Sequence, residues 1–308
     1  MGIKKVTFAQ RIWDNRVMWL MLLPAIAFII LFAYVPMGGI ITAFKDYKNR
    51  LGIFGSPWVG FENFRYLIVS NKLWTLTRNT LSYNFVFITL GMLSEVGLAV
   101  VISELPFRNT KRVFQSFTFL PFFISWVVVA AIMMNIFGYE NGVLNSVIVS
   151  LGGGRVNIYG NPATFPIVLV LLRLWKSTGY GTIIYLASIA GMDQEVLEAA
   201  EIDGANIWQR IWHITLPWLR PTMVILLLLA IGSVFRGDFG MFYQIVGSSQ
   251  PLLEVSDIID TYVYRSLMNS PNIGMSAAAG LYQSILCFIS ILLANFLVKK
   301  IEPEYTLF

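Results

Sequence analysis

Few residues of this chain could carry out acid–base, nucleophilic or metal chemistry. The sequence has one histidine, His213, and one cysteine, Cys287, so neither a histidine cluster nor a thiolate metal site can be built from them. The glycine run 152–154, followed by Arg155, could suggest a phosphate loop, but the Gly-Lys-Ser/Thr ending of that motif is absent from the sequence. We therefore predict no catalytic residue, no metal site and no nucleotide site in this chain.

Charged side chains within apolar sequence are a second group that could act chemically. Arg173 and Lys176 lie in a long apolar segment, and a charge near the middle of a bilayer costs about 3 kcal/mol, so such residues usually face a cavity or a partner. With Trp175 and Tyr180 they would offer donors and aromatic faces, which suit a sugar ring. Alternatively, the two cations pair with an acid such as Glu95 or with a partner subunit.

The composition indicates that these residues belong to an integral membrane protein. The chain has 308 residues, of which 56% are hydrophobic and only 13% are charged, against about 25% charged in an average soluble domain. The mean hydropathy is +0.68. The net charge of +5 comes from basic residues that are dispersed, with no run longer than two. This pattern favours contact with anionic lipid and argues against nucleic-acid binding.

Six apolar segments are long enough to cross a bilayer, so we predict an all-α membrane protein with six transmembrane helices in one domain. The predicted spans are 17–44, 81–104, 112–137, 164–190, 218–237 and 274–298. An even number of spans places both termini on one side. The basic residues near both ends favour the cytoplasm for that side. The first external loop, 45–80, is also basic, but long loops translocate regardless of charge, and its aromatic residues predict a cap on the outer face.

The predicted cytoplasmic loop between the fourth and fifth spans, 191–217, contains five of the 17 acidic residues. Its local signals predict two short helices at an angle. Asp193 can cap the first helix and Gly204 can end it. Asn206 then begins the second helix, with Gln209 placed as in a capping box, and Pro217 is expected to close it.

The faces of these two helices leave two interpretations open. On the first helix Ala199, Ala200 and Asp203 form a narrow surface that another backbone could approach closely. On the second, Trp208 and Trp212 belong to a broad apolar stripe that must be covered. Docking of a partner protein and an amphipathic helix lying on lipid both fit this pattern.

The spacing within residues 198–217 resembles the complete EAA loop of ABC importer permeases: Glu-Ala-Ala, three residues, Gly, nine residues, Ile, one residue and Leu-Pro. This resemblance implies a coupling helix that sits in a cleft of a separate ATPase. The residues to which it assigns this role are Glu198, Ala199, Ala200, Asp203, Gly204, Ile214, Leu216 and Pro217.

Other stretches resemble the carbohydrate-importing members of that family, especially those for oligosaccharides and polysaccharide fragments. These stretches are 34–39, 43–47, 58–64, 119–121 and 142–145. Relatives place sugar-binding polar residues near the end of the fifth span, where this chain has Ser233, Arg236 and Asp238. The usual amides are replaced here by Arg236, Gly237 and Asp238. A structural ion pair between Arg236 and Asp238 is therefore an equal alternative to a sugar site.

The resemblance implies a type I importer in the bacterial inner membrane. The expected partners are a second homologous permease, two cytoplasmic ATPases that bind the ATP and magnesium, and an extracellular solute-binding protein. The candidate substrate path comprises Arg173, Trp175, Lys176, Tyr180, Ser233, Arg236 and Asp238. Neutral and acidic sugars both remain open as cargo. The alternatives are an ABC permease for another solute, an ATP-independent channel or secondary transporter, and an intramembrane enzyme, for which no cluster of His, Asp or Glu is visible within the apolar segments.

Overall fold

A computed structural model describes residues 14–247, 249–268 and 272–301. This part of the chain is helical and contains no strand, which confirms the all-α prediction for it. The helices are α1 (Arg16–Phe44), α2 (Gly52–Gly55), α3 (Glu62–Val69), α4 (Lys72–Ser103), α5 (Arg108–Phe123), α6 (Trp126–Phe137), α7 (Val143–Ser150), α8 (Phe165–Ala190), α9 (Gln194–Ile202), α10 (Ile207–Gly232), α11 (239–246), α12 (Gln250–Ser256), α13 (Ile259–Met268) and α14 (Ile273–Ile301).

Five of the described helices, α1, α4, α8, α10 and α14, are long and apolar enough to cross a membrane, and the bent pair α5 and α6 brings the number to six if it counts as one span. Two of these helices differ from the expected bounds. The second span begins at Lys72 instead of 81, so its first turns lie within the predicted loop 45–80. The fifth span extends from Ile207 to Gly232 instead of covering 218–237.

The segment predicted as one span at 112–137 is broken. Its two helices, α5 and α6, meet at an angle of 93°. Ile124 and Ser125 have extended backbone conformations at the break. The Ser125 hydroxyl accepts a hydrogen bond from the backbone N–H of Val128 and so caps the start of α6. The apolar composition is continuous across this break, so hydropathy alone could not locate it.

Pro217 does not close the second short helix, contrary to the prediction. The chain forms a π-helical turn at Ile211–Thr215, and the N–H of Leu216 bonds to the carbonyl of Ile211, five residues earlier. Pro217 then occupies the first turn of the following α-helical segment, Leu216–Gly232, where its missing N–H removes no bond. The second short helix is therefore the first turn of the membrane helix α10.

Helix α8 lies at the centre of the packing and runs along α4. It also contacts α5 so closely that a Cβ added to Gly179 would lie 1.9 Å from the carbonyl oxygen of Thr118. Two apolar clusters lie along α4 and α8. One is formed around Tyr83, Phe165 and Phe242, and the other around Val96, Ala99, Val100, Tyr185, Ile189, Met192 and Leu219. A third cluster, around Ala43, Leu67, Ala278 and Ala279, joins the end of α1 to α3 and α14.

Candidate functional site

A cavity of about 460 Å³ lies between α4, α8, α10 and the loop 233–238. This volume is in the range of small-molecule sites. Its walls combine apolar residues with two cations and two acids. The lining residues are Asn84, Phe87, Ile88, Gly91, Met92, Glu95, Arg173, Tyr185, Leu226, Leu227, Ala230, Ser233, Arg236, Gly237 and Asp238.

Asp238 is the centre of a polar network on the cavity wall. Its Oδ2 lies 3.5 Å from Arg173 Nη1 and accepts a hydrogen bond of 3.0 Å from Trp126 Nε1. Its Oδ1 accepts a hydrogen bond of 3.1 Å from the backbone N–H of Met241 and so caps α11. The ion pair that the sequence left open between Arg236 and Asp238 is therefore replaced by one between Arg173 and Asp238.

Glu95 supplies the second acid of the cavity wall. Its side chain lies over Gly181 of α8, where an added Cβ would be 2.0 Å from the Glu95 Cδ atom. The hydroxyl of Thr182 donates to the backbone carbonyl of Glu95 at 3.3 Å, which joins α8 to α4 at the same level. Arg173, which lines the same cavity, acts electrostatically on Glu95. A glycine at 181 thus makes room for a carboxylate between two packed helices.

The loop 233–238 is fixed by polar side chains from three helices. Asn84 Nδ2 donates to the carbonyls of Val234 and Arg236, at 2.7 and 3.0 Å. Asp260 Oδ2 accepts from the Gly237 N–H at 2.8 Å and from Gln283 Nε2 at 2.9 Å. Burial raises the pKa of the Asp260 carboxyl above its ordinary value, although both of these hydrogen bonds oppose that shift.

The structure places four of the seven residues predicted for the substrate path at the cavity and the other three elsewhere. Arg173, Ser233, Arg236 and Asp238 line the cavity, whereas Trp175, Lys176 and Tyr180 lie away from it. Trp175 is two positions after Arg173, about 200° around the helix, and its side chain is 48% exposed on the outside of the bundle.

Lys176 and Tyr180 face the broken span instead of the cavity. Lys176 is buried, and its Nζ donates to the carbonyl of Phe122 at 2.7 Å and lies 5.4 Å from the ring of Trp126. Tyr180 stacks on Phe122 with 4.6 Å between ring centroids. Both side chains therefore support the bend between α5 and α6.

The sequence prediction did not identify Asn84 and Gly91 as cavity residues, and it considered Glu95 only as a partner for the cations. Their spacing of seven and then four residues places all three on one face of α4. A search of the apolar segments for polar or small residues at helical spacing would have found this face.

The 191–217 segment has the local structure that its capping signals predict. The side chain of Asp193 accepts from the Glu195 N–H at 3.0 Å, and Asn206 and Gln209 form a complete capping box. Gly204 has a φ of +80°, a conformation that disfavours residues with a Cβ. The first short helix and the caps of both helices are confirmed, whereas the second helix is not short, because it continues into α10.

Most of the residues to which the EAA resemblance assigns a role lie on an exposed surface. No residue of α9 is buried. Glu198, Ala199, Asp203 and Gly204 are exposed and Ala200 is half-buried, while Ile202 is 86% exposed. By contrast, Ile214 and Leu216 pack against the cluster around Val96, Tyr185 and Leu219, and so support α10 from within.

Arg210 connects this segment to the body of the protein. Its Nη1 donates to Glu201 at 2.7 Å, and its Nη2 donates to Glu104, just beyond the end of α4, at 3.2 Å. The side chain of Arg210 is 15% exposed.

Comparison with known proteins places this architecture in one family. Residues 88–303 match the model of the binding-protein-dependent transport system inner membrane component family. Protein LplB of Bacillus subtilis is 36% identical over 98% of this chain and 94% of that protein. The polygalacturonan/rhamnogalacturonan transport system permease protein YteP of the same organism is 34% identical over 98% of this chain and 93% of that protein.

A solved structure agrees over nearly the whole chain. A chain of a bacterial alginate ABC transporter, crystallised in complex with alginate pentasaccharide-bound periplasmic protein, superposes with a TM-score of 0.85 and 29% identity. It covers 96% of this chain and 98% of that chain. On these matches, this multi-pass membrane protein belongs to the family of binding-protein-dependent transport system inner membrane components.

Proposed function

We propose that this chain is the permease subunit of an ATP-driven importer of oligosaccharides, with acidic oligosaccharides as the preferred cargo. The observation that carries the proposal is the cavity between α4, α8 and α10, which combines Arg173 and Arg236 with hydroxyl, amide and carboxylate groups. Arginine binds carboxylates well, and the acids and amides are suited to sugar hydroxyls. YteP is named for the transport of polygalacturonan and rhamnogalacturonan, and the similar alginate transporter was crystallised with an alginate-bound protein. Both comparisons support an acidic cargo.

One chain of this kind encloses half of a transport path, so a second homologous permease completes it. An extracellular solute-binding protein delivers the sugar, and two cytoplasmic ATPases bind the ATP and magnesium. This chain hydrolyses nothing itself. In this proposal the 191–217 segment and both termini face the cytoplasm, and the exposed surface of α9 docks into an ATPase.

The cargo is tested by reconstituting the four-component transporter in liposomes and measuring the uptake of trigalacturonate and maltotriose. We expect uptake to require ATP and the binding protein, and to favour trigalacturonate. Arg173→Gln should weaken that preference, while Arg65→Gln, a change at a side chain 73% exposed on α3, should leave it unchanged. Uptake without the ATPase would refute the importer, and equal uptake of the two sugars would refute the acidic preference.

The docking surface is tested at Gly204, where an added Cβ meets no atom within 4 Å. Gly204→Ala should therefore act through the backbone alone, since a left-handed conformation costs an ordinary residue about 1–2 kcal/mol. We expect less ATPase to copurify with Gly204→Ala, and recovery in Gly204→Asn because asparagine tolerates that conformation. Equal copurification in the parent and Gly204→Ala would count against docking through this turn.

A further inference from the structure

Among the described residues, Arg210 is the one side chain that links α9 to the end of the cavity-lining helix α4 through ion pairs. Glu201 lies on α9 and Glu104 lies directly after α4, so one guanidinium group holds two elements that are far apart in sequence. The two hydrogen bonds leave from different nitrogens, which fixes the orientation of the group as well as its position.

Little else attaches α9 to the body of the protein. None of its residues is buried, and Leu197 is its one side chain that packs against an apolar cluster. Helix α4 is by contrast held firmly along α8, and the face that carries Asn84 and Glu95 lines the cavity. A displacement of α9 therefore reaches α4 through two contacts, the packing of Leu197 and the ion pairs of Arg210, of which only the ion pairs are directional.

The environment of Arg210 favours a rigid link to the end of α4, while its link to α9 is more exposed. The side chains of Arg210 and Glu104 are 15% and 24% exposed, so solvent screens this pair less than a surface pair. The side chain of Glu201 is 69% exposed, so the pair with α9 depends on its short contact of 2.7 Å. The buried Nε atom of Arg210 has no hydrogen-bond partner within the described residues, so the ion pairs alone compensate its charge. Arg210 also ends the short helix Ile207–Arg210, directly before the π-helical turn of α10.

We propose that Arg210 is a positioning residue for transport: it transmits the movement of α9 to α4 and so links ATP-driven closure of the ATPases to the opening of the cavity. This inference rests on the proposed function, because it assumes that α9 docks to an ATPase. It assigns the coupling between the ATPase and the cavity to Arg210 and Glu104, which lie outside the α9 surface that docks to the ATPase.

The first test separates ATP hydrolysis from transport in the reconstituted transporter. With Arg210→Glu we expect the ATPase to copurify and hydrolyse ATP, while trigalacturonate uptake per ATP falls by about tenfold, the scale of a typical coupling between two sites. Arg210→Lys should give an intermediate value, because lysine keeps the charge but not the two-pronged geometry. Arg108→Glu, at an exposed arginine that begins α5, is the matched charge reversal and should match the parent.

The second variant restores the link with reversed charges. Arg210→Glu combined with Glu104→Arg and Glu201→Arg again places opposite charges across both ion pairs, so uptake per ATP should recover, whereas Glu104→Arg alone should resemble Arg210→Glu. No loss in Arg210→Glu, or no recovery in the triple variant, would overturn the proposal. Failure of ATP-dependent uptake in the parent would instead refute the proposed function.

A cargo-independent measurement follows the link itself. Spin labels at Val196 on α9 and Val101 on α4, both exposed, report the distance between the helices in a Cys287→Ser background. The proposal expects this distance to stay the same between the nucleotide-free and ATP–vanadate states of the parent, and to change in Arg210→Glu. A distance that changes equally in both proteins would overturn it.

Discussion

At the scale of single residues, Asp238 shows how one carboxylate organises the cavity. It pairs with Arg173 of α8, accepts from Trp126 of α6 and caps α11, so three helices meet at two oxygen atoms. Arg173 is therefore held in place before cargo arrives, and a sugar carboxylate would compete with Asp238 for it. Preorganisation of this kind lowers the cost of ordering side chains on binding.

Gly181 provides a test of whether Glu95 acts in the cavity. Gly181→Ala would place a Cβ 2.0 Å from Glu95 Cδ, so the carboxylate must move, at an overpacking cost of about 1–3 kcal/mol. We expect slower sugar uptake at unchanged ATPase copurification. Gly280→Ala on α14 is the matched control, because its added Cβ would meet no atom within 4 Å and Gly280 does not line the cavity. Equal uptake in the two variants would show that the position of Glu95 is unimportant.

The buried Asp260 carboxyl predicts a pH dependence of stability. Because its pKa is raised in the folded protein, mainly by burial, its contribution to stability is present below the unfolded pKa of about 3.9 and is lost as the pH rises through the folded pKa. In Asp260→Asn the side-chain oxygen can still accept from Gly237 and Gln283, without a buried charge. We expect its thermal midpoint in detergent to depend less on pH than that of the parent, with an equal or higher midpoint at neutral pH.

The control for this measurement is Asp46→Asn, at a carboxylate whose side chain is 56% exposed. This variant should follow the parent at every pH. An Asp260→Asn protein with the full pH dependence of the parent would assign that dependence to other groups.

At the scale of elements, two membrane helices pass through a proline where the backbone bonding changes. Pro36 and Pro217 are each the second residue after a π-helical turn, at Ile30–Tyr34 and Ile211–Thr215. A proline cannot donate to the carbonyl four residues earlier and clashes with it in an α-helix. The wider turn moves that carbonyl, so both helices continue through their prolines instead of ending there.

The break between α5 and α6 predicts a structural role for Lys176. Its ammonium donates to the carbonyl of Phe122, and a buried carbonyl that loses its donor costs about 1–3 kcal/mol. Lys176→Met should therefore lower the thermal stability of the chain in detergent, and Lys176→Arg should lower it less.

The matched control is Lys111→Met. Lys111 also donates to a helix-end carbonyl, that of the half-buried Ser103 at the last residue of α4, where water can replace it. Equal thermal midpoints for Lys176→Met and the parent would mean that the bend holds without the lysine.

At the scale of the whole molecule, the first helix is the least supported part. No residue is buried in its segments Arg16–Ile29, Ile30–Tyr34 and Val35–Met37, and only its end, near Ala43, joins an apolar cluster. Lipid or the second permease must cover this surface, because so large an apolar face is not stable in water.

Two alanine substitutions distinguish lipid from the second permease as the cover of this surface. Phe32 is 68% exposed and Leu76 is fully buried. For the chain alone in detergent we expect Leu76→Ala to cost about 2–5 kcal/mol and Phe32→Ala to leave the thermal midpoint unchanged. In the assembled transporter, Phe32→Ala should lower the midpoint if the partner permease covers this face. An unchanged midpoint there would assign the face to lipid.

The sequence by itself determined the membrane class, the approximate positions of the apolar spans and the caps of the two short helices. These depend on composition, segment length and contacts within about four residues along the chain, which sequence spacing reports directly. It also pointed to Arg173, since a charged group within apolar sequence requires a cavity or a partner. The resemblance to related permeases pointed to Ser233, Arg236 and Asp238.

Only the tertiary structure decided how these parts meet. It separated Trp175, Lys176 and Tyr180 from the cavity, because the rotation of α8 is set by its packing on α4 and α5 and not by its hydropathy. Likewise, the pairing of Arg173 with Asp238 and that of Arg210 with Glu104 join residues far apart in the chain. Such contacts depend on the relative positions of whole helices, which no local sequence pattern encodes.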